Sequence, residues 1–191
     1  EAVGSRLFFT VYRDSAYYIE EMGTEENTLD HSTTFTIGSA GTTFTGLSNY
    51  ASKTVKVRSG DFYMGEFAVS SGGVLELSTG FDTTTITVGF DYEVNVETMP
   101  VETSLPSGTM QGKPKRISKV VLGLNSALAT SVSGNRLVLR QVTDDLSLSP
   151  TPVTGKRDFY LLGYNKDATV TITQSDPLPV RVTGLIMEYM F

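Results

Sequence analysis

Alternation with period two, between β-branched or aromatic residues and polar ones, dominates this sequence and points to antiparallel sheet. RLFFTVYR, TVKVRSGDFYMGEFAV, VLELSTG and TTTITVGFDYEVNVETM all carry the pattern. In Thr85-Ile86-Thr87-Val88 and Ala168-Thr169-Val170-Thr171-Ile172-Thr173, apolar side chains fall on one face and threonines on the other. That is how a half-buried strand reads. Turn formers interrupt the pattern at Ser59-Gly60-Asp61, Ser71-Gly72-Gly73, Ser133-Gly134-Asn135 and Asn165-Lys166-Asp167. Those at Gly60 and Gly72 predict local hairpins. Only ISKVVLGLNSALATS, from Ile117 to Ser131, has helical spacing, and Gly123 with β-branched Ile117, Val120 and Val121 weakens it. A strand from Arg116 to Leu124 leading into a loop is expected there instead. The expected fold class is all-β, with antiparallel strands in two small packed units, sandwich- or barrel-like, and little or no helix.

A chain of 191 residues hides roughly 70% of its unfolded surface on folding, so it needs no disulfide or metal staple. It has no cysteine, which excludes zinc ribbons, thiol nucleophiles, iron–sulfur clusters and disulfide scaffolds. No apolar run approaches the roughly 18 residues that span a bilayer, so no membrane segment is expected. Polar stretches rich in turn formers, GTEENTLDHSTT at 23–34 and VETSLPSGTMQGKP at 101–114, mark boundaries. They divide the chain into a leading hairpin with an acidic loop (1–34), a small antiparallel unit (35–103) and a second antiparallel unit (104–191). Leu7 to Tyr12 and Val180 to Met190 both read as strands, so the leading segment is expected to pack on the C-terminal unit. The first residue is Glu1 rather than Met, as expected of a processed or excised piece.

The net charge of -6 conceals a split. Residues 1–103 carry 15 acids against 5 bases, and residues 104–191 carry 6 against 10. Acids are densest between Asp14 and Asp30, where Glu20, Glu21, Glu25 and Glu26 lie, and such a run reads as a solvated loop. Lys113, Lys115, Arg116 and Lys119 form a basic cluster, read as the solvent face of a strand rather than a phosphate site. A sequence pI near 4.8 argues against tight binding of a polyanion. The two groups together are the candidate subunit interface.

Residues for chemistry are sparse. The single histidine, His31, is expected on the surface of a polar acidic loop rather than in a Ser-His-Asp site. Asp144 and Asp145 are adjacent and diverge on an extended strand. Asp91 and Glu93 fall on one face, and Asp158 is a further weak acid candidate, but no tryptophan supplies a sugar platform. EF-hand, Walker A and dinucleotide-binding glycine patterns are absent from the sequence. No catalytic, cofactor or metal residue is assigned, and the expectation is that the chain is not an enzyme.

Three stretches carry a resemblance. The first is Phe8-Phe9-Thr10-Val11-Tyr12-Arg13 with Tyr17-Tyr18-Ile19-Glu20-Glu21-Met22. The second runs from Phe44-Thr45-Gly46-Leu47-Ser48-Asn49-Tyr50 through Lys53-Thr54-Val55-Lys56-Val57, Gly65 and Leu75-Glu76-Leu77 to Ile86-Thr87-Val88-Gly89-Phe90-Asp91-Tyr92. The third joins Lys115-Arg116-Ile117-Ser118-Lys119-Val120-Val121-Leu122, the run from Val170 to Val180 containing Asp176-Pro177-Leu178-Pro179, and Gly184-Leu185-Ile186-Met187-Glu188. In order and approximate spacing these resemble the C-terminal part of the tail nozzle proteins of short-tailed bacteriophages, also called tail tubular protein B. Asn49-Tyr50-Ala51-Ser52 stands where that family usually has His-Leu-Glu-Gly. Family members are considerably longer, so the resemblance implies a C-terminal portion.

The resemblance implies a structural virion component made in the host bacterial cytoplasm: a subunit of a homo-oligomeric ring in the tail that contacts other tail proteins (adaptor and fibres) and conducts DNA transiently at ejection. A receptor- or glycan-binding β module of a phage tail or bacterial surface is the alternative. The motifs also have direct physical readings. Pro177 and Pro179 cannot donate to a ladder, so Asp176-Pro177-Leu178-Pro179 is expected at an edge or in a bend. Gly89 predicts a bulge or a close backbone approach, and Gly46-Leu47 a turn that plants Leu47 in the core.

Overall fold

A computed structural model of the chain describes residues 2–3, 6–23, 28–102, 104–105, 108–145 and 148–190. Strands dominate, and the one helical element among the described residues is a single 3-10 turn, Ser48–Tyr50. The chain divides into two compact units, Glu1–Val57 with Met64–Phe90, and Arg58–Tyr63 with Asp91–Phe191. The fold is all-β, built from several small antiparallel sheets, and among the described residues none of them closes into a barrel.

The first unit begins with β1 (Ala2–Val3), β2 (Arg6–Arg13) and β3 (Ala16–Glu21), paired in that order. It continues with β4 (Asp30–Gly41), β5 (Thr43–Phe44), β6 (Thr54–Ser59), β7 (Phe62–Ala68), β8 (Leu75–Glu76) and β9 (Thr83–Phe90), except that the Arg58–Tyr63 tip of the β6–β7 hairpin belongs to the second unit. β4, β9, β6 and β7 lie side by side in that order, and β5 pairs with β8. The register of β4 on β9 sets Phe35 opposite Ile86 and Thr33 opposite Val88, with Thr34 opposite Thr87 and Thr36 opposite Thr85. Ile86 and Val88 are fully buried, whereas Thr34 and Thr87 meet at 3.2 Å and Thr36 and Thr85 at 3.4 Å on the other face. The alternation in the sequence thus becomes an apolar inner face and a threonine ladder outside. Phe44, Leu47, Val55, Val57 and Leu75 join Ile86 in the interior, each worth about 1.5–3 kcal/mol of apolar transfer.

Gly46 adopts φ +86 and Leu47 is fully buried, as the motif predicts. At Gly89 the close approach is real: a Cβ there would lie 2.7 Å from Leu29 Cβ and 2.9 Å from the Asp30 carbonyl oxygen. The β4–β9 register shifts opposite it, between Asp30 and Thr33. Two expectations are corrected. Gly60 does close a hairpin, but the turn at Gly72 leads from β7 into β8, which pairs with β5. The reason is burial, because this pairing brings Leu75 opposite Phe44 and both are fully enclosed. The leading hairpin belongs to the first unit, not to the C-terminal one. Ion pairs from Arg13 and Asp14 on its turn to Asp30 and Lys53 hold it there.

The second unit contains β10 (Val94–Glu97), β11 (Ser104–Leu105), β12 (Gly108–Thr109), β13 (Arg116–Ala127), β14 (Ser131–Val132), β15 (Asn135–Arg136), β16 (Val153–Tyr160), β17 (Thr171–Gln174) and β18 (Val182–Met190). β16, β13 and β18 form one sheet, β10, β17, β14 and β15 another, and β11 pairs with β12. Val120, Leu122 and Leu124 of β13 are buried with Phe159, Val132 and Val170. Asp176-Pro177-Leu178-Pro179 forms the expected bend between β17 and β18: Leu178 is buried, and the Pro179 carbonyl accepts from Leu128 N at 2.9 Å. Tyr63, Leu128 and Leu178 pack together there.

Candidate functional site

Of the charged residues read as a subunit interface, Glu20, Glu21, Lys115 and Lys119 are already engaged within their own unit. The acidic run is not a continuous loop. Glu20 and Glu21 lie on β3, while Glu25 and Glu26 fall outside the described residues. Glu21 pairs with Arg6 at the open end of the hairpin, and hydrogen bonding to that guanidinium, with its charge, holds the Glu21 carboxyl below its ordinary range against partial desolvation. Among the bases, Lys113 is exposed and Arg116 half-buried. Lys119 Nζ lies 2.8 Å from Asp158, and that hydrogen bond, with the nearby carboxylates, raises the lysine.

Lys115 departs furthest from expectation, being interior with 1% of its side chain exposed. Its Nζ donates to the Val101 carbonyl at 2.8 Å and reaches Glu102 at 3.4 Å. Its backbone is bridged both ways to Asn165, at 2.9 and 2.8 Å. The solvent-face reading fails because the β13 register shifts between Ile117 and Lys119. Counting back by twos from Leu122 and Val120 puts Lys115 outside, whereas the shift places it in phase with buried Ile117.

His31 is not a surface loop residue either. It lies on β4 with φ 49, a left-handed conformation that histidine adopts more readily than most residues. Its side chain is 10% exposed, with Nδ1 2.6 Å from Glu20 Oε1. The ring stacks on Phe90 at 5.7 Å and 9°, and meets the edge of Tyr18 at 5.2 Å. Arg13 lies 3.2 Å from Asp30 and 3.8 Å from Glu20, and Arg13 and Lys53 both sit over the Phe90 ring. Together these residues clasp the β2–β3 hairpin onto β4 and β9. Its sequence signal was the phase of His31 with buried Leu29, which the acidic composition of the segment masks.

Tyr50 completes the clasp from below. Its hydroxyl donates to the His31 carbonyl and lies 3.0 Å from Thr33 Oγ1. Desolvation raises its pKa most, the hydrogen bond to Thr33 lowering it in part. The unfolded chain ionises this phenol first, near its ordinary value of about 10, so its stabilisation is complete below that pH and is lost as pH rises toward the folded value. Absorbance titration should show a late phenolate step that belongs to Tyr50. Tyr50→Phe should remove that late step and flatten the alkaline loss of stability, at a cost of about 1 kcal/mol at neutral pH.

Asp91 and Glu93 are exposed in the segment between β9 and β10, and Asp144 and Asp145 are exposed beyond β15. Among the described residues, no group of three or more His, Asp or Glu is placed to hold a metal ion, and no helix is long and apolar enough to cross a membrane. Neither a model of a known protein family nor a curated protein sequence matches the chain.

Proposed function

We propose that the chain is a structural subunit of a bacteriophage tail nozzle, acting in a homo-oligomeric ring through which DNA is held and then conducted. The supporting observation is where the motifs of the resemblance fall. Gly46 with buried Leu47, the close approach at Gly89, and the Asp176–Pro179 bend are turns and contacts that determine the fold. A shared set of fold determinants fits a scaffold.

The outer side of the leading hairpin fits assembly as well. Tyr12, Tyr17 and Ile19 are 62%, 76% and 81% exposed, and the two tyrosine rings lie 4.9 Å apart. Contiguous apolar side chains left open in this way mark contact surfaces, and a ring needs heterologous contacts between unlike patches. A net charge of -6 suits a conduit, since a negative wall repels phosphate and lets DNA slide. Of the basic cluster, Lys113 and Arg116 have surface to offer a neighbour, and Lys115 does not.

Electron microscopy of the product of the complete reading frame containing this sequence tests the reading. Closed rings with an axial channel are expected. A product that stays monomeric at assembly concentrations, from a reading frame with no portal-like gene beside it, overturns the proposal.

A further inference from the structure

The sheet of β10, β17, β14 and β15 sorts its residues by row. Val96, Ile172 and Val132 stand opposite one another, with Val132 in the core and Ile172 packed against it. The next row, Asn95, Thr173, Ser131 and Arg136, must therefore face the other way. Three of its members, Thr173, Ser131 and Arg136, line a cleft of about 380 Å³, within the ~300–1,000 Å³ range of small-molecule sites. Ser131 Oγ and Thr173 Oγ1 are 2.5 Å apart. Asp176, in the bend after β17, holds Arg136 through a 2.5 Å contact between Oδ2 and the guanidinium. Leu128, Leu137 and Leu139 supply the apolar part of the lining.

We propose that this cleft binds a neutral hexopyranose unit. A carboxylate accepts from hydroxyls and a guanidinium donates to them, so adjacent Asp176 and Arg136 match two neighbouring hydroxyls of a sugar ring. The Ser131–Thr173 pair both donates and accepts, and suits a third hydroxyl. Leucine side chains meet the C–H face of the ring. A simple anion would meet Asp176, and a cation would meet Arg136 and Arg140, which also lines the cleft but spends its guanidinium on the Asp145 and Leu148 carbonyls. A wholly apolar ligand would strand the hydroxyls. Guanidinium groups have five donors, and Arg136 is 71% exposed beyond its contact with Asp176, so it has donors to spare. The site does not depend on the chain being a tail subunit.

Saturation-transfer NMR with glucose, galactose and mannose as separate probes tests the proposal. Transfer to at least one hexose is expected. It should weaken about tenfold in Arg136→Met, which removes charge-assisted donors. It should also disappear in Ser175→Trp, whose indole fills the cleft from an exposed rim position. Both variants should melt like the parent, since both changes are at exposed positions. Absence of transfer to all three hexoses overturns the proposal, as does transfer that survives both variants. Inorganic phosphate that shifts the resonances of the cleft where hexoses do not would overturn it in favour of an anion site.

Discussion

Gly89→Val should destabilise the first unit by about 3 kcal/mol, seen as a lower urea midpoint at unchanged slope. The cost is steric. A Cβ at this position would sit 2.7 Å from Leu29 Cβ and 2.9 Å from the Asp30 carbonyl oxygen, and one of those neighbours is backbone that cannot rotate away. β4 would have to separate from β9 just where its register already shifts. Hydrogen exchange should show the loss in the amides of β4 and β9. Gly38→Ala provides the contrast, since a Cβ there meets nothing within 4 Å, and its effect should lie within about 0.5 kcal/mol of zero. Equal effects at the two glycines would mean that close packing at Gly89 is not what its missing side chain serves.

Lys115→Ala should cost the second unit a comparable amount, about 3 kcal/mol, by opening space and leaving the Val101 carbonyl without its donor. Lys115→Met keeps most of the aliphatic stem and should cost about 2 kcal/mol, chiefly the orphaned carbonyl. Glu102→Gln should cost less than about 1 kcal/mol, because the Glu102 side chain is 43% exposed and water replaces much of what the ammonium offers. That ranking identifies the carbonyl, 2.8 Å from Nζ, as the main partner. A neutral Lys115→Ala would refute the buried staple and return the residue to the surface reading.

Local rules carried the fold class, the threonine faces, the bend at Pro177 and Pro179, and the special role of Gly89. Each depends on residues within one strand or turn. What escaped the sequence depends on pairing between distant segments. Nothing near Gly72 announces that Leu75 pairs with Phe44, and nothing in the leading hairpin announces that Asp14 meets Lys53. Lys115 was misplaced because a register shift reverses the inside and outside of β13 partway along, and period-two counting assumes there is none. His31 was misplaced because an acidic neighbourhood suggests solvent, whereas one of those acids is the partner that lets the imidazole be enclosed. The cleft under Arg136 was out of reach for the same reason as Leu75, since its wall is a row drawn from separate strands.

The pairing of β13 also sets a timetable. Its flanks are β16 on one side and β18 on the other, and the Ser118 hydroxyl donates to the Glu188 carbonyl, 70 residues later in the chain. On a ribosome, buried Val120, Leu122 and Leu124 of β13 emerge well before their second partner strand exists. The leading hairpin, joined through the two-residue turn of Asp14 and Ser15, can form as soon as it leaves the exit tunnel. Synthesis should therefore deliver a first unit that folds early and a second that waits for its final strand, the interval in which a nascent chain with an incomplete sheet most needs a chaperone.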